Sequence, residues 1–170
     1  MMIAEGFAVL TVAAACVSDV STSRIPNALT FAAAALAVVF HATAPGGLGV
    51  THAVLGLSVG LAVFFPLFAL GAMGAGDVKL MAAIGAWVGW NPVILVALYG
   101  SVAGGALALV VAARRRYLKQ AFSNIRMLGM FWLVNGLKPL PELTLESTHT
   151  LRLPYAVAIA AGLAVTLWRA

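Results

Sequence analysis

Cysteine is almost missing from this chain. Cys16 is the only one in 170 residues, so the chain alone can form neither an intramolecular disulfide nor a multi-cysteine zinc site. Charge is scarce as well: Asp, Glu, Lys and Arg make up 9% of the sequence, against about 25% in an ordinary soluble domain. The three histidines, His41, His52 and His149, stand on different loops or span ends and make no metal constellation. No metal or organic cofactor is expected.

What remains is apolar. Hydrophobic residues are 63% of the chain and the mean hydropathy is +1.05, which marks an integral membrane protein. A net charge of +5 raises the question of nucleic acid. The basic residues, however, sit at the ends of apolar runs, where lysine and arginine set membrane orientation. The expected surroundings are membrane lipid, with no nucleic acid. Ala13-Ala14-Ala15-Cys16 is faintly similar to a lipoprotein cleavage site, but Glu5 stands where a secretory signal needs positive charge, so the first segment is expected to be retained.

The runs predict an all-α polytopic fold of about six spans in one membrane-embedded domain, residues 1–170. The first covers Met2 to Ser18 and ends at Asp19, followed by the polar loop Val20 to Asn27 with Pro26 inside it. The second runs from Ala28 to Thr43, and the third from Thr51 to Leu70 after the turn Ala44 to Gly49. Gly71 to Lys79 then interrupts the apolar pattern with three glycines and two charges. Leu80 to Ala113 carries no charge and is too long for one span, so Trp90-Asn91-Pro92 is expected to divide it into the fourth and fifth, closed by Arg114-Arg115-Arg116. Between Tyr117 and Trp132 apolar residues recur at helical spacing, the pattern of a helix lying in the membrane interface. A polar loop with Glu142, Glu146 and His149 leads to a sixth span from Leu153 to Trp168.

An outside amino terminus puts Arg24, Lys79 and the Arg114 to Arg126 cluster on one side, the cytoplasmic one by the positive-inside rule. Asp19 and Asp77 then emerge at that same boundary. Acidic residues in apolar spans face a cavity, a partner or a reaction, and two that approach each other share one proton. Such a pair can hydrolyse a peptide: the ionised member takes a proton from water, and the protonated member polarises the scissile carbonyl. Gly74 and Gly76 leave room for extended substrate backbone beside Asp77. Each residue also has a plainer reading. Asp77 fits a helix N-cap, Asp19 a solvated loop acid, and Lys79 and Arg24 fit topology anchors that snorkel to the interface. The Gly-Ala run from Gly100 to Gly105 fits a helix-packing surface.

Gly74-Ala75-Gly76-Asp77-Val78-Lys79 resembles the Gly-x-Gly-Asp motif of type IV prepilin peptidases, in which that aspartate is one of the catalytic pair. Asp19 to Asn27, with Arg24-Ile25-Pro26-Asn27, is similar to the family's first-aspartate segment, and Leu153-Pro154-Tyr155 to the start of its closing span. The presenilin-like proteases that share the motif pair it with a Tyr-Asp element, which the preceding span here lacks. The resemblance implies Asp19 and Asp77 as catalytic residues. It implies Gly74, Gly76, Lys79, Arg24, Pro26 and Asn27 as residues that shape the site. It also implies a membrane aspartic endopeptidase that cleaves the leaders of prepilin and pseudopilin precursors on the cytoplasmic face of the bacterial inner membrane. Bifunctional members carry an insert with two Cys-x-x-Cys pairs and also methylate the new amino terminus. Without it, this chain is similar to the minimal members serving tight-adherence pili, and methylation is in doubt. A small proton- or cation-coupled transporter and a non-catalytic pilus assembly scaffold are the competing readings.

Overall fold

A computed structural model describes residues 2–114 and 154–169, together with isolated positions between 116 and 136. Among the described residues six helices carry the fold: α1 (Met2–Thr22), α2 (Asn27–Thr43), α3 (Val50–Ala69), α4 (Ala75–Val88), α5 (Trp90–Arg114) and α6 (Tyr155–Arg169). No strand occurs among the described residues. The all-α polytopic expectation holds, and the division of the long apolar run falls at Gly89, whose φ of +89° only glycine adopts at no cost. The interfacial helix expected between Tyr117 and Trp132 lies largely outside the described residues, as does the loop with Glu142, Glu146 and His149.

By length and composition, α1, α3 and α5 are each able to cross a membrane, whereas α2 and α6 are shorter apolar helices. The 14-residue α4 is the axis of the bundle, in contact with every other helix. From Leu80 to Trp87 every one of its residues is buried.

Burial follows side-chain size in an order that suits lipid rather than water. The core is rich in alanine, such as Ala8, Ala15, Ala37 and Ala53, while Leu10, Val17, Phe31, Leu98 and Val102 point outward. Lipid tails are as apolar as leucine, so helices in a bilayer associate through close packing of small residues. Gly56 of α3 meets Gly85 of α4 backbone to backbone, and Gly162 of α6 meets Val96 and Gly100 of α5 in the same way. These contacts hold α3 on α4 and α6 on α5.

Two boundaries differ from the sequence reading, and both matter for the site. Helix α1 does not stop at Asp19 but continues to Thr22, where Ser23 turns the chain with φ +52°. The hydroxyls of Ser18 and Thr22 donate to the Arg24 carbonyl at 2.8 and 3.2 Å and fix that turn. Helix α4 begins at Ala75, so Asp77 lies in its first turn rather than in a loop.

Candidate active site

Asp19 occupies the end of α1, and its Oδ2 accepts a hydrogen bond from the backbone N–H of Ala156 at 3.2 Å. Ala156 is in the first turn of α6, where backbone N–H groups lack intrahelical partners and the helix dipole favours negative charge. The start of the last described helix thus orients the acid on the first.

Asp77 is held differently. Gly74 is the N-cap of α4, and Asp77 follows it by three residues, the position from which an acidic side chain reaches back to the cap N–H. Its carboxylate takes that bond from Gly74. Asp77 is therefore not the N-cap, although it serves the same helix end. A Cβ on Gly74 would stand 3.1 Å from Asp77 Oδ2 and crowd the carboxylate. Gly76 faces Ile25, whose Cβ would be 3.1 Å from a side chain there. Through Ile25 and Gly76 the loop after the first aspartate packs directly on the turn that carries the second.

The two carboxylates lie at the same end of the bundle, near enough for the charge on Asp19 to act on Asp77. Tyr155 completes this cluster, a role the sequence reading did not give it. Its hydroxyl is hydrogen-bonded to the Ser101 side chain and feels the charge of Asp77. Its ring lies against Gly104 and edge-on to Phe64, at 6.1 Å between centroids. The available signal was a phenol among aliphatic residues at the mouth of an apolar span, where a tyrosine hydroxyl seeks a partner. From Gly104, α5 runs on to Arg114, ~15 Å past the level of Tyr155.

The remaining motif residues brace the site. Lys79 Nζ donates to Asn27 Oδ1 at 2.9 Å and stands 5.4 Å from the Phe31 ring centre, so it ties α4 to α2. Pro26 is the N-cap of α2, with φ −62° and ψ 133°. Arg24 contributes its carbonyl to the turn, and its side chain is exposed. Asn27→Ala should lower stability by about 1 kcal/mol, because the bond is charge-assisted but solvent-accessible; thermal unfolding in detergent measures it. The precursor conversion rate should fall less than threefold, since Asn27 touches neither carboxylate.

Among the described residues no three His, Cys, Asp or Glu side chains converge as a metal site. His41 and His52, which the sequence placed apart, are nevertheless neighbours at the opposite end of the bundle, with ring centres 4.9 Å apart. His149 lies outside the described residues.

Comparison with known proteins assigns the scaffold. The profile of the type IV leader peptidase family matches residues 6–109, which include both aspartates and the Gly-x-Gly-Asp turn. Proteins named prepilin leader peptidase/N-methyltransferase from Burkholderia pseudomallei strains 1026b and K96243 are each 36% identical over 104 residues, 58% of this chain. The chain spans 34% of the length of those relatives. No solved structure matches. With the profile covering more than half of its length and both acidic segments in place, this chain belongs to the type IV leader peptidase family.

Proposed function

We propose that this protein is a membrane aspartic endopeptidase, a single domain over residues 1–170, in which Asp19 and Asp77 cleave the leaders of prepilin and pseudopilin precursors. The observation that supports the reading is that two acids from separate helices share one end of an apolar bundle, near enough for the charge of one to act on the other. A water held between the carboxylates loses a proton to the ionised one and attacks the scissile carbonyl. The protonated partner donates to the carbonyl oxygen, and the proton taken up by the first acid passes to the departing amine. Because either acid can hold the shared proton, neither aspartate carries a fixed role. Gly74 keeps a side chain off the Asp77 carboxylate, so substrate backbone approaches there in extended form, while Gly76 makes room for Ile25 rather than for substrate.

Arg24, Lys79 and Arg114 share the end of the bundle that holds the acids, which supports a cytoplasmic active site in the bacterial inner membrane. In a Cys16→Ala background, a cysteine at Arg24 should react with a membrane-impermeant maleimide only in inverted vesicles. One at Pro45, in the turn between α2 and α3, should react only in intact spheroplasts. The reverse pattern refutes the orientation.

The activity itself is tested by incubating the purified protein in lipid with pilin precursors and sequencing the new amino termini by mass spectrometry. Cleavage at the end of the leader is expected, and failure across several precursors overturns the assignment. Peptidase action without methyl transfer is the reading for this chain, because the insert with paired cysteines is missing from the loop between α1 and α2. Adding S-adenosylmethionine should leave the mass of the mature product unchanged.

A further inference from the structure

Tyr155 and Ala156 are consecutive residues at the start of α6, and they face different acids. The Ala156 N–H donates to Asp19 of α1 at 3.2 Å, while Tyr155 is near enough to Asp77 of α4 to feel its charge. Ala156 and Asp19 are 137 positions apart in the chain. Their hydrogen bond therefore exists only while the first turn of α6 is held beside the end of α1.

Ala156 has only a methyl group with which to hold that turn. The Pro154 carbonyl accepts from the Val157 N–H at 3.2 Å, which closes the turn on itself without fixing it to a neighbour. The Tyr155 ring does reach out of the helix. On one side it lies against α5 at Gly104, where an added Cβ would stand 2.8 Å from Cε2 and 3.1 Å from Cζ. On another it meets Phe64 of α3 edge-on, at 6.1 Å between centroids. Phe64 is 1% exposed, so the ring rests on a fixed part of the core. The bond between the Tyr155 hydroxyl and Ser101 adds a second hold on α5.

We propose that Tyr155 is a positioning residue of the peptidase site: its ring, set against Gly104 and Phe64, holds the first turn of α6 where the Ala156 N–H fixes the Asp19 carboxylate. The inference rests on the reading of Asp19 and Asp77 as the catalytic pair. A small displacement is enough, because a misplacement of about 1 Å costs on the order of 100-fold in rate. In this role Tyr155 acts through Ala156 and takes no part in proton transfer.

Two readouts on the purified full chain test it. The first is amide hydrogen exchange at Ala156, followed by NMR in detergent micelles. An N–H in the first helical turn has no intrahelical acceptor, so its protection reports the bond to Asp19 rather than the helix. The second is cleavage of one pilin precursor, with kcat and KM separated. Tyr155→Ala should speed exchange at Ala156 about tenfold, the value of one hydrogen bond. It should also lower kcat about 30-fold while KM stays within about threefold. Tyr155→Phe keeps the ring and should restore most of both losses. Leu163→Ala removes a buried side chain two turns further along α6 and should lower the unfolding temperature without moving either readout. Gly104→Ala displaces the ring without altering it, and should move both readouts about fivefold in the direction of Tyr155→Ala; it decides the matter if Tyr155→Ala does not fold. Exchange or kcat unchanged in the folded variants at 155 and 104 overturns the proposal. Losses as large in Tyr155→Phe or in Leu163→Ala overturn it as well. If wild type cleaves no precursor while Ala156 exchange responds as expected, the peptidase reading falls and the hold of Tyr155 on Asp19 stands.

Discussion

Asp19→Asn and Asp77→Asn should each reduce precursor cleavage by at least about 100-fold, the contribution of a positioned acid–base group. Asparagine keeps the shape of the side chain and an acceptor oxygen. The bonds from Ala156 N–H to residue 19 and from Gly74 N–H to residue 77 therefore survive. What disappears is the ability to take and return a proton. Each variant should reach the membrane and unfold within a few degrees of wild type, so that lost cleavage reports chemistry rather than folding. A time course of precursor and mature bands provides the rate. A variant that keeps cleaving removes its aspartate from the mechanism; a scaffold would tolerate both substitutions without change in its own function, whereas a transporter would lose transport with Asp77.

Gly56→Val and Gly85→Val should be the most damaging changes away from the site. A Cβ on either glycine would coincide with backbone of the other, and backbone cannot rotate aside as a side chain can. Overpacking a tight core commonly costs 1–3 kcal/mol, and here the clash falls on the most extensive contact of α4, between α3 and α4. A loss on the order of 3 kcal/mol or more is expected, read as a large drop in unfolding temperature and in monodisperse protein. Gly105 is the internal control. It belongs to the same Gly-Ala pattern, yet a Cβ there meets nothing within 4 Å. Gly105→Val should be nearly neutral.

That contrast marks how far the sequence alone could be read. The run Gly100 to Gly105 is a packing surface only in part: Gly100 and Gly104 meet α6, whereas Gly105 faces outward. Spacing suggests a stripe, but which member is buried depends on where α6 lies, and α6 comes from a distant part of the chain. The order of the apolar helices was legible because an apolar run that ends in charge has few interpretations in a bilayer, whereas of the six expected spans only α1, α3 and α5 are long and apolar enough to cross one among the described residues. The break at Gly89 fell one residue before the expected tripeptide, since glycine took the left-handed turn and Trp90 already began the next helix. The end of α1 was misplaced because a charged residue was taken as a stop. The hydroxyls of Ser18 and Thr22 instead carry the helix one further turn.

Within the site, both aspartates could be found as acids in apolar surroundings, and their flanking glycines by composition. The partners that orient them could not. Ala156 contributes only a backbone N–H, which no residue type announces, and Ser101 is an ordinary small residue of a packing helix. The pairing of Lys79 with Asn27 likewise joins two positions far apart in sequence. The His41 and His52 pair eluded the sequence for the same reason, as the two residues meet only where the end of α2 folds back on the start of α3.

The central claim is that Asp19 and Asp77 act as one catalytic unit, and the double variant Asp19→Asn/Asp77→Asn tests it most directly. Groups that share a proton transfer are strongly non-additive when removed. Purified wild type, both single variants and the double variant should be compared on one precursor at several pH values. The account predicts that the double variant cleaves no more slowly than the slower single variant, and that wild type alone shows a bell-shaped dependence of kcat/KM on pH. Losses that multiply in the double variant, with a bell-shaped profile surviving in either single variant, would contradict a shared-proton pair.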